Sequence, residues 1–359
     1  MRNQSYKLGL VLSGGGARGA YEAGVTKYLA QEGLEPDMYA GASVGALNGA
    51  FLASSASIKI GAEKLESIWR SLSNDKMIQV NPSLVGLGLL YSGFLKKGNF
   101  KMARHLERNL SLYNKAASDY FEFLRKSPLK KPVEKGLLDS NSLKALIEEH
   151  VTVGQLKNGK PLWISLYESE GGFLDLLKWT ASNTGLFNTK ASEYIHLQSL
   201  EPDDRITALL ASAALPLAYD SQTLNGISYR DGGLGEFKSS KGNTPLEPLV
   251  REGCTHAVVV HLGHGSMWDR NEYANTSIIE VRPENPLYEE GKISSLMNFS
   301  VEKIDYLIER GYEDAKRCIG NVLKSIRIHH TVEETKYQMK QSVKKLENDT
   351  SFDHWIGKL

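Results

Sequence analysis

Two cysteines in 359 residues, Cys254 and Cys318, exclude a disulfide framework and any zinc cluster built on cysteine. No stretch approaches the roughly eighteen consecutive apolar residues that a membrane-spanning helix requires. There is no excess of either charge: 43 Lys+Arg stand against 42 Asp+Glu, so no chain-wide field draws in nucleic acid or anionic lipid. The residues before Tyr6 form no apolar leader, which sets a cytoplasmic protein as the expectation. With 41% hydrophobic and 24% charged residues the composition is that of an ordinary globular chain and excludes wholesale disorder.

The order of elements is legible near the start. Tyr6–Leu12 is a short apolar run of the kind that makes a buried strand, and Ser13–Gly19 is a glycine-rich turn. From about Ala20 to Gln31, Tyr21, Val25, Tyr28 and Leu29 then recur at helical spacing, which predicts a helix stopped by Gly33. Met38–Ala42 reads as a second strand. Val44, Leu47 and Phe51 follow at i, i+3 and i+7, among glycines and alanines that let a helix press close to a sheet. Strand, turn, helix repeated twice in about fifty residues predicts an α/β fold, three layers with a mainly parallel central sheet. Further strands are expected at Leu162–Leu166, Ala257–Leu262 and Ser277–Val281, and a helix at Ile206–Ala214 ended by Pro216.

The middle of the chain differs. From Lys96 to Lys135 there are eleven Lys/Arg and four Asp/Glu, a balance of +7, and Gly and Pro are absent from 101–126. This predicts a helical, basic insertion at about 86–135 within a domain of residues 1–320, followed by a polar extension, 321–359. Aromatics interleave the charges of 94–135, which makes that block the candidate for peripheral contact with the inner face of a membrane.

Two glycine motifs compete for the chemistry. Gly14-Gly15-Gly16-Ala17-Arg18-Gly19 fits the G-x-G-x-x-G of a dinucleotide-binding module. Gly41-Ala42-Ser43-Val44-Gly45 fits G-x-S-x-G, the elbow that presents a nucleophilic serine between a strand and a helix. A dinucleotide site needs an acid at the carboxyl end of the second strand, and Glu35 and Asp37 precede that strand. Ser43 follows it directly, where α/β active sites form, and the positive end of the next helix favours an oxyanion there. Backbone N–H groups of Gly14, Gly15 and Gly16 are candidates to receive that oxyanion. For the base, His256, His261 and His264 stand against Asp231 in Arg230-Asp231-Gly232-Gly233, a carboxylate on a glycine turn after an expected edge strand.

In that order, the glycine turn 14–19, the serine elbow 41–45 and Asp231-Gly232-Gly233 resemble the patatin-like phospholipase family. Ala211-Ser212-Ala213-Ala214-Leu215-Pro216 and Asn243-Thr244-Pro245 add to the likeness, which extends over about residues 6–262. The resemblance implies a patatin-like fold and a Ser–Asp dyad without histidine, with Ser43 as nucleophile and Asp231 as base. It implies an oxyanion hole from Gly14, Gly15 and Gly16 with Arg18, and motif glycines Gly41, Gly45, Gly232 and Gly233 around the dyad. It implies acyl hydrolysis of membrane phospholipids, lysophospholipids or related esters, with no cofactor, no metal and no nucleic-acid partner. Two rivals remain at this point: the dinucleotide-binding module, and a catalytically silent regulatory or interaction protein of the same fold.

Overall fold

The computed structural model describes residues 6–74, 140–171, 175, 188–215, 219–236, 238–264, 266–287 and 298–347. The expected insertion at 86–135, and with it the basic block 94–135, lies outside the described residues. The chain forms two compact units, Met1–Ala315 and Lys316–Leu359. Of the second, the structure describes the continuation of one helix to Glu347.

The first unit is built on an eight-stranded mixed sheet. Its order is β5 (Gln222–Leu224), β6 (Ile227–Asp231), β3 (Leu162–Glu168), β2 (Met38–Ala42), β1 (Leu8–Leu12), β7 (His256–Val260) and β8 (Ser277–Val281). From β3 to β8 neighbouring strands are parallel, whereas β6 runs antiparallel to both β3 and β5. A further strand, β4 (Glu193–His196), pairs antiparallel with the first part of β3. Asp231 therefore ends an interior strand, not the edge strand that the sequence suggested, because β5 covers the outer side of β6.

β1 and β2 are buried along their whole length, which is why they read as unbroken runs of apolar or small residues. Successive side chains point to opposite faces, and different helices cover the two. On one face, Val11 and Ala40 pack with Leu246, Leu249 and Trp268. On the other lies the helix α2 (Val44–Ala53), where a Cβ at Gly49 would sit 3.0 Å from Leu162. Helix, sheet, helix is the three-layer arrangement expected.

Helix α1 (Ala20–Gln31) has the predicted bounds. The helix expected at Ile206–Ala214 instead spans Pro202–Ser212. It begins earlier because Pro202 is preset for a first turn and Asp203 and Asp204 suit its positive end, signals that the apolar spacing does not register. The helix Val301–Glu347 crosses α1 at backbone contact: a Cβ at Gly24 would lie 1.9 Å from the Ile308 carbonyl oxygen, and one at Gly311 1.9 Å from that of Tyr21. No described helix is long and apolar enough to cross a membrane.

Candidate active site

Between β2 and α2 the chain reverses through a single residue, Ser43, whose φ of 53° lies in the left-handed region. A non-glycine residue held there costs about 1–3 kcal/mol and persists only where its surroundings over-determine it. Here they do. A Cβ on Gly45 would lie 2.2 Å from the Leu12 carbonyl oxygen and one on Gly41 2.3 Å from the Gly45 oxygen, so the elbow closes only with glycine at both positions. The Ser43 N–H donates to Ser212 Oγ at 3.1 Å, and that hydroxyl donates to the Ser165 carbonyl at 2.9 Å. Ser212 and Ser165 are wholly buried.

Ser212 is thus a support of the serine turn that sequence reasoning did not single out. It belongs to the 211–216 motif, but nothing in the chain order says that it meets Ser43. Ser212→Ala strands one buried donor and one buried acceptor. We expect a loss of about 1–3 kcal/mol in stability by urea denaturation, accompanied by slower labelling of Ser43 by a fluorophosphonate.

Register explains how Asp231 comes close. Ala42 is level with Ser165 on β3, so Ser43 falls level with Leu166. On the far side of β3, Asp231 is the direct partner of Leu166. Two strand spacings, about 10 Å, separate β2 from β6, and the Ser43 hydroxyl beyond the end of β2 comes near enough to act on the Asp231 carboxyl. Gly232 is forced by the same closeness, since a Cβ there would lie 2.1 Å from the Ser165 carbonyl oxygen. Asp231 Oδ1 accepts the Gly233 N–H at 2.8 Å. Burial raises the carboxyl to about 6, while the Ser43 hydroxyl and the Gly233 N–H pull it down. Among the described residues Oδ2 has no hydrogen-bond partner; the Ser43 hydroxyl acts on the carboxyl without a full hydrogen bond, as is common for such pairs before substrate tightens them.

The glycine turn lies against Ser43. A Cβ on Gly14 would meet Ser43 Cβ at 2.9 Å and Asn243 Oδ1 at 2.5 Å. Asn243 also donates from Nδ2 to the Gly14 carbonyl and accepts the Gly14 N–H on its own carbonyl, both at 3.3 Å. A Cβ on Gly233 would lie 2.6 Å from Asn243 Oδ1, so this asparagine joins the glycine turn to the Asp231 turn. The Gly14 N–H is therefore engaged, and Gly15 and Gly16 remain as the oxyanion donors to consider. Gly16 has φ 57° and Gly15 packs against Leu262. Arg18 donates from Nε to the Gly15 carbonyl and from Nη1 to the Leu262 carbonyl, both at 3.2 Å. It braces the turn.

None of the three histidines bonds Ser43 or Asp231. His256 lies at the amino end of β7, level with Leu8 and beside Thr255. His261 Nε2 is 3.0 Å from Glu280 Oε2 on the outer strand β8, and His264 Nδ1 is 3.1 Å from the Pro283 carbonyl. The acids weighed for a dinucleotide are engaged as well. Asp37 accepts the Leu8 N–H at 2.7 Å and Glu35 accepts the Ile58 N–H, both away from the glycine turn. Among the described residues no three His, Cys, Asp or Glu side chains converge as a metal site.

The fold and these contacts define a class: an α/β protein with a serine elbow, a glycine turn and a buried aspartate at one end of its sheet. A family model, the patatin-like phospholipase, matches residues 10–249, well over half of the chain, and the chain belongs to that family. This is the enzyme class expected from the motifs. Lysophospholipase nte1 of Aspergillus terreus is 43% identical over 70 residues, which are 18% of this chain and 5% of that protein. Neuropathy target esterase sws of Drosophila melanogaster is 35% identical over 86 residues, 24% of this chain and 6% of that one. The chain thus matches only a small part of either relative's length. Among solved structures, VipD from Legionella pneumophila aligns over 88% of this chain and 67% of its own, at 14% identity and a TM-score of 0.39. The ExoU–SpcU complex of Pseudomonas aeruginosa aligns over 89% of this chain and 52% of its own, at 16% and 0.32. Likenesses at this level add nothing to the fold described above.

Proposed function

We propose that the protein is a serine-dependent lipid acyl hydrolase that releases fatty acids from glycerophospholipids, lysophospholipids or related esters. Ser43 Oγ attacks the ester carbonyl while Asp231 takes its proton. The tetrahedral oxyanion is received by backbone N–H groups of the glycine turn, chiefly Gly15 and Gly16, with the positive end of α2 behind them. Collapse expels the alcohol, which takes up the proton, and leaves an acyl ester on Ser43. Water, deprotonated by Asp231, then hydrolyses that ester to the free fatty acid.

The observation that carries this reading is the buried carboxyl of Asp231, raised to about 6, in contact with the Ser43 hydroxyl. A base poised near the working pH combines ionisation with proton affinity. Its place directly across β3 from Ser43 supports a dyad in which the carboxylate acts on the hydroxyl without an intervening histidine. The test is lipid-product profiling: pure protein, wild type and Ser43→Ala, incubated with a mixed phospholipid extract. Fatty acid released by the wild type alone supports the proposal. Release by neither, with Ser43 unlabelled by a fluorophosphonate, favours a silent module of the same fold.

A lipid in a bilayer must be partly lifted out before its ester reaches Ser43, which is 5% exposed. The basic block 94–135 is proposed to hold the protein at the membrane while this happens. Reversing Lys96, Lys97, Lys101 and Arg104 to Glu is expected to weaken sedimentation with anionic vesicles and slow lipid hydrolysis, leaving turnover of a soluble short-chain ester near wild type. Salt should mimic the variant, since exposed charges are screened over about 10 Å at 0.1 M.

A further inference from the structure

Behind the glycine turn lies a carboxyl that the proposed chemistry does not use. Glu22, in the first turn of α1, is wholly buried. Its Oε2 accepts from Asn48 Nδ2 at 2.8 Å. The same Nδ2 donates to the Gly19 carbonyl at 3.1 Å, and Asn48 Oδ1 accepts from Trp69 Nε1 at 3.2 Å. The Ser13 backbone N–H is also directed at the Glu22 carboxyl, whereas among the described residues Oε1 has no hydrogen-bond partner. Among the described residues no cation pairs with it. Burial pushes its pKa well up, against the pull of the Asn48 and Ser13 donors.

The placement is informative. Glu22 is on the helix that leaves the glycine turn, and Asn48 is on the helix that leaves the Ser43 turn. The two helices start in close contact, since a Cβ on Gly19 would lie 2.6 Å from Val44 Cγ2. The side chain of Asn48 holds both Glu22 and Gly19, and Ser13 immediately precedes Gly14. The Glu22–Asn48 contact therefore fixes how far the turn bearing the oxyanion donors stands from the turn bearing the serine. We propose that Glu22, through Asn48, is a positioning residue that sets the Gly14–Gly16 turn in register with Ser43. This rests on the hydrolase reading given above. A misplacement of about 1 Å between donor and nucleophile can cost on the order of 10²-fold in rate, and removing the carboxyl alone also lowers stability, because the buried donors of Asn48 and Ser13 lose their acceptor.

The two effects can be separated. Glu22→Met fills the same space without the acceptor, and Glu22→Gln keeps the acceptor without the acid. For Glu22→Met we expect a lowered Tm in a protein still folded at the assay temperature, kcat on a short-chain ester lowered at least tenfold, and KM within about twofold. Glu22→Gln should retain most of the turnover, because its amide oxygen still accepts from Asn48 Nδ2. If Glu22→Met does not fold, Asn48→Ser removes the contact from the other side and is read in the same way. A folded Glu22→Met or Asn48→Ser enzyme with wild-type kcat overturns the positioning role while Ser43 is still labelled and active. An inactive wild type whose Ser43 resists a fluorophosphonate overturns this proposal together with the hydrolase reading.

Discussion

Ser43→Ala and Asp231→Asn are each expected to lower hydrolysis of a short-chain ester by about 10⁴-fold or more, and the double variant by no more than either alone. Residues that act as one unit lose their joint contribution when any member goes. Strain does not account for the loss, because alanine at φ 53° is held in the same backbone conformation as serine. Ser43→Gly separates the effects: it should be equally inactive yet more stable, by roughly 1 kcal/mol, since glycine adopts that conformation freely. Folded His256→Ala, His261→Ala and His264→Ala proteins should keep most of the turnover. A dead but folded His261→Ala enzyme would replace the dyad with a triad.

The raised carboxyl of Asp231 gives a second large effect. Turnover should fall about tenfold per pH unit below about 6 and level off above it, because only the ionised carboxylate accepts the serine proton. Stability runs the other way. In the unfolded chain the group has its ordinary value of 3.8, and in the native protein about 6. Between these values the native state holds more protons, so this group's contribution to stability falls as pH rises through that window, then stays flat. At pH 8 the ionised, buried carboxylate costs the fold about 1–3 kcal/mol. Asp231→Asn, which keeps an oxygen for the Gly233 N–H, should therefore be more stable than wild type at pH 8 and little different at pH 4. Urea denaturation at the two pH values measures this. A destabilised Asp231→Asn protein at pH 8 would show the carboxylate to be well solvated and remove its poise as a base.

Much of the fold was legible because it rests on local pattern. β2 and β8 and the helix α1 have the bounds that apolar runs and helical spacing predicted. The serine elbow was legible because its chemistry is local as well: one strained residue between a strand and a helix requires glycine close on both sides. Chain order could not show that β6 runs antiparallel inside the sheet. A five-residue run ending at Asp231 is compatible with either direction and with an edge or interior place.

The contacts of Asn243, Ser212 and Glu22 were likewise out of reach, although the first two residues lie in motifs that the sequence shows. Each makes its decisive hydrogen bonds across at least 26 positions of chain, and a polar residue in a helix or turn looks the same in sequence whether it faces water or a buried neighbour. By itself, then, the sequence determined the α/β layering and which serine, aspartate and glycines were candidates, since periodicity and turn chemistry act between near neighbours. Only the tertiary structure decided that Ser43 and Asp231 face one another across β3, that the Gly14 N–H is engaged, and that His261 turns to Glu280. Those outcomes depend on strand order and register, which are set by how the buried faces pack and by no single stretch of chain.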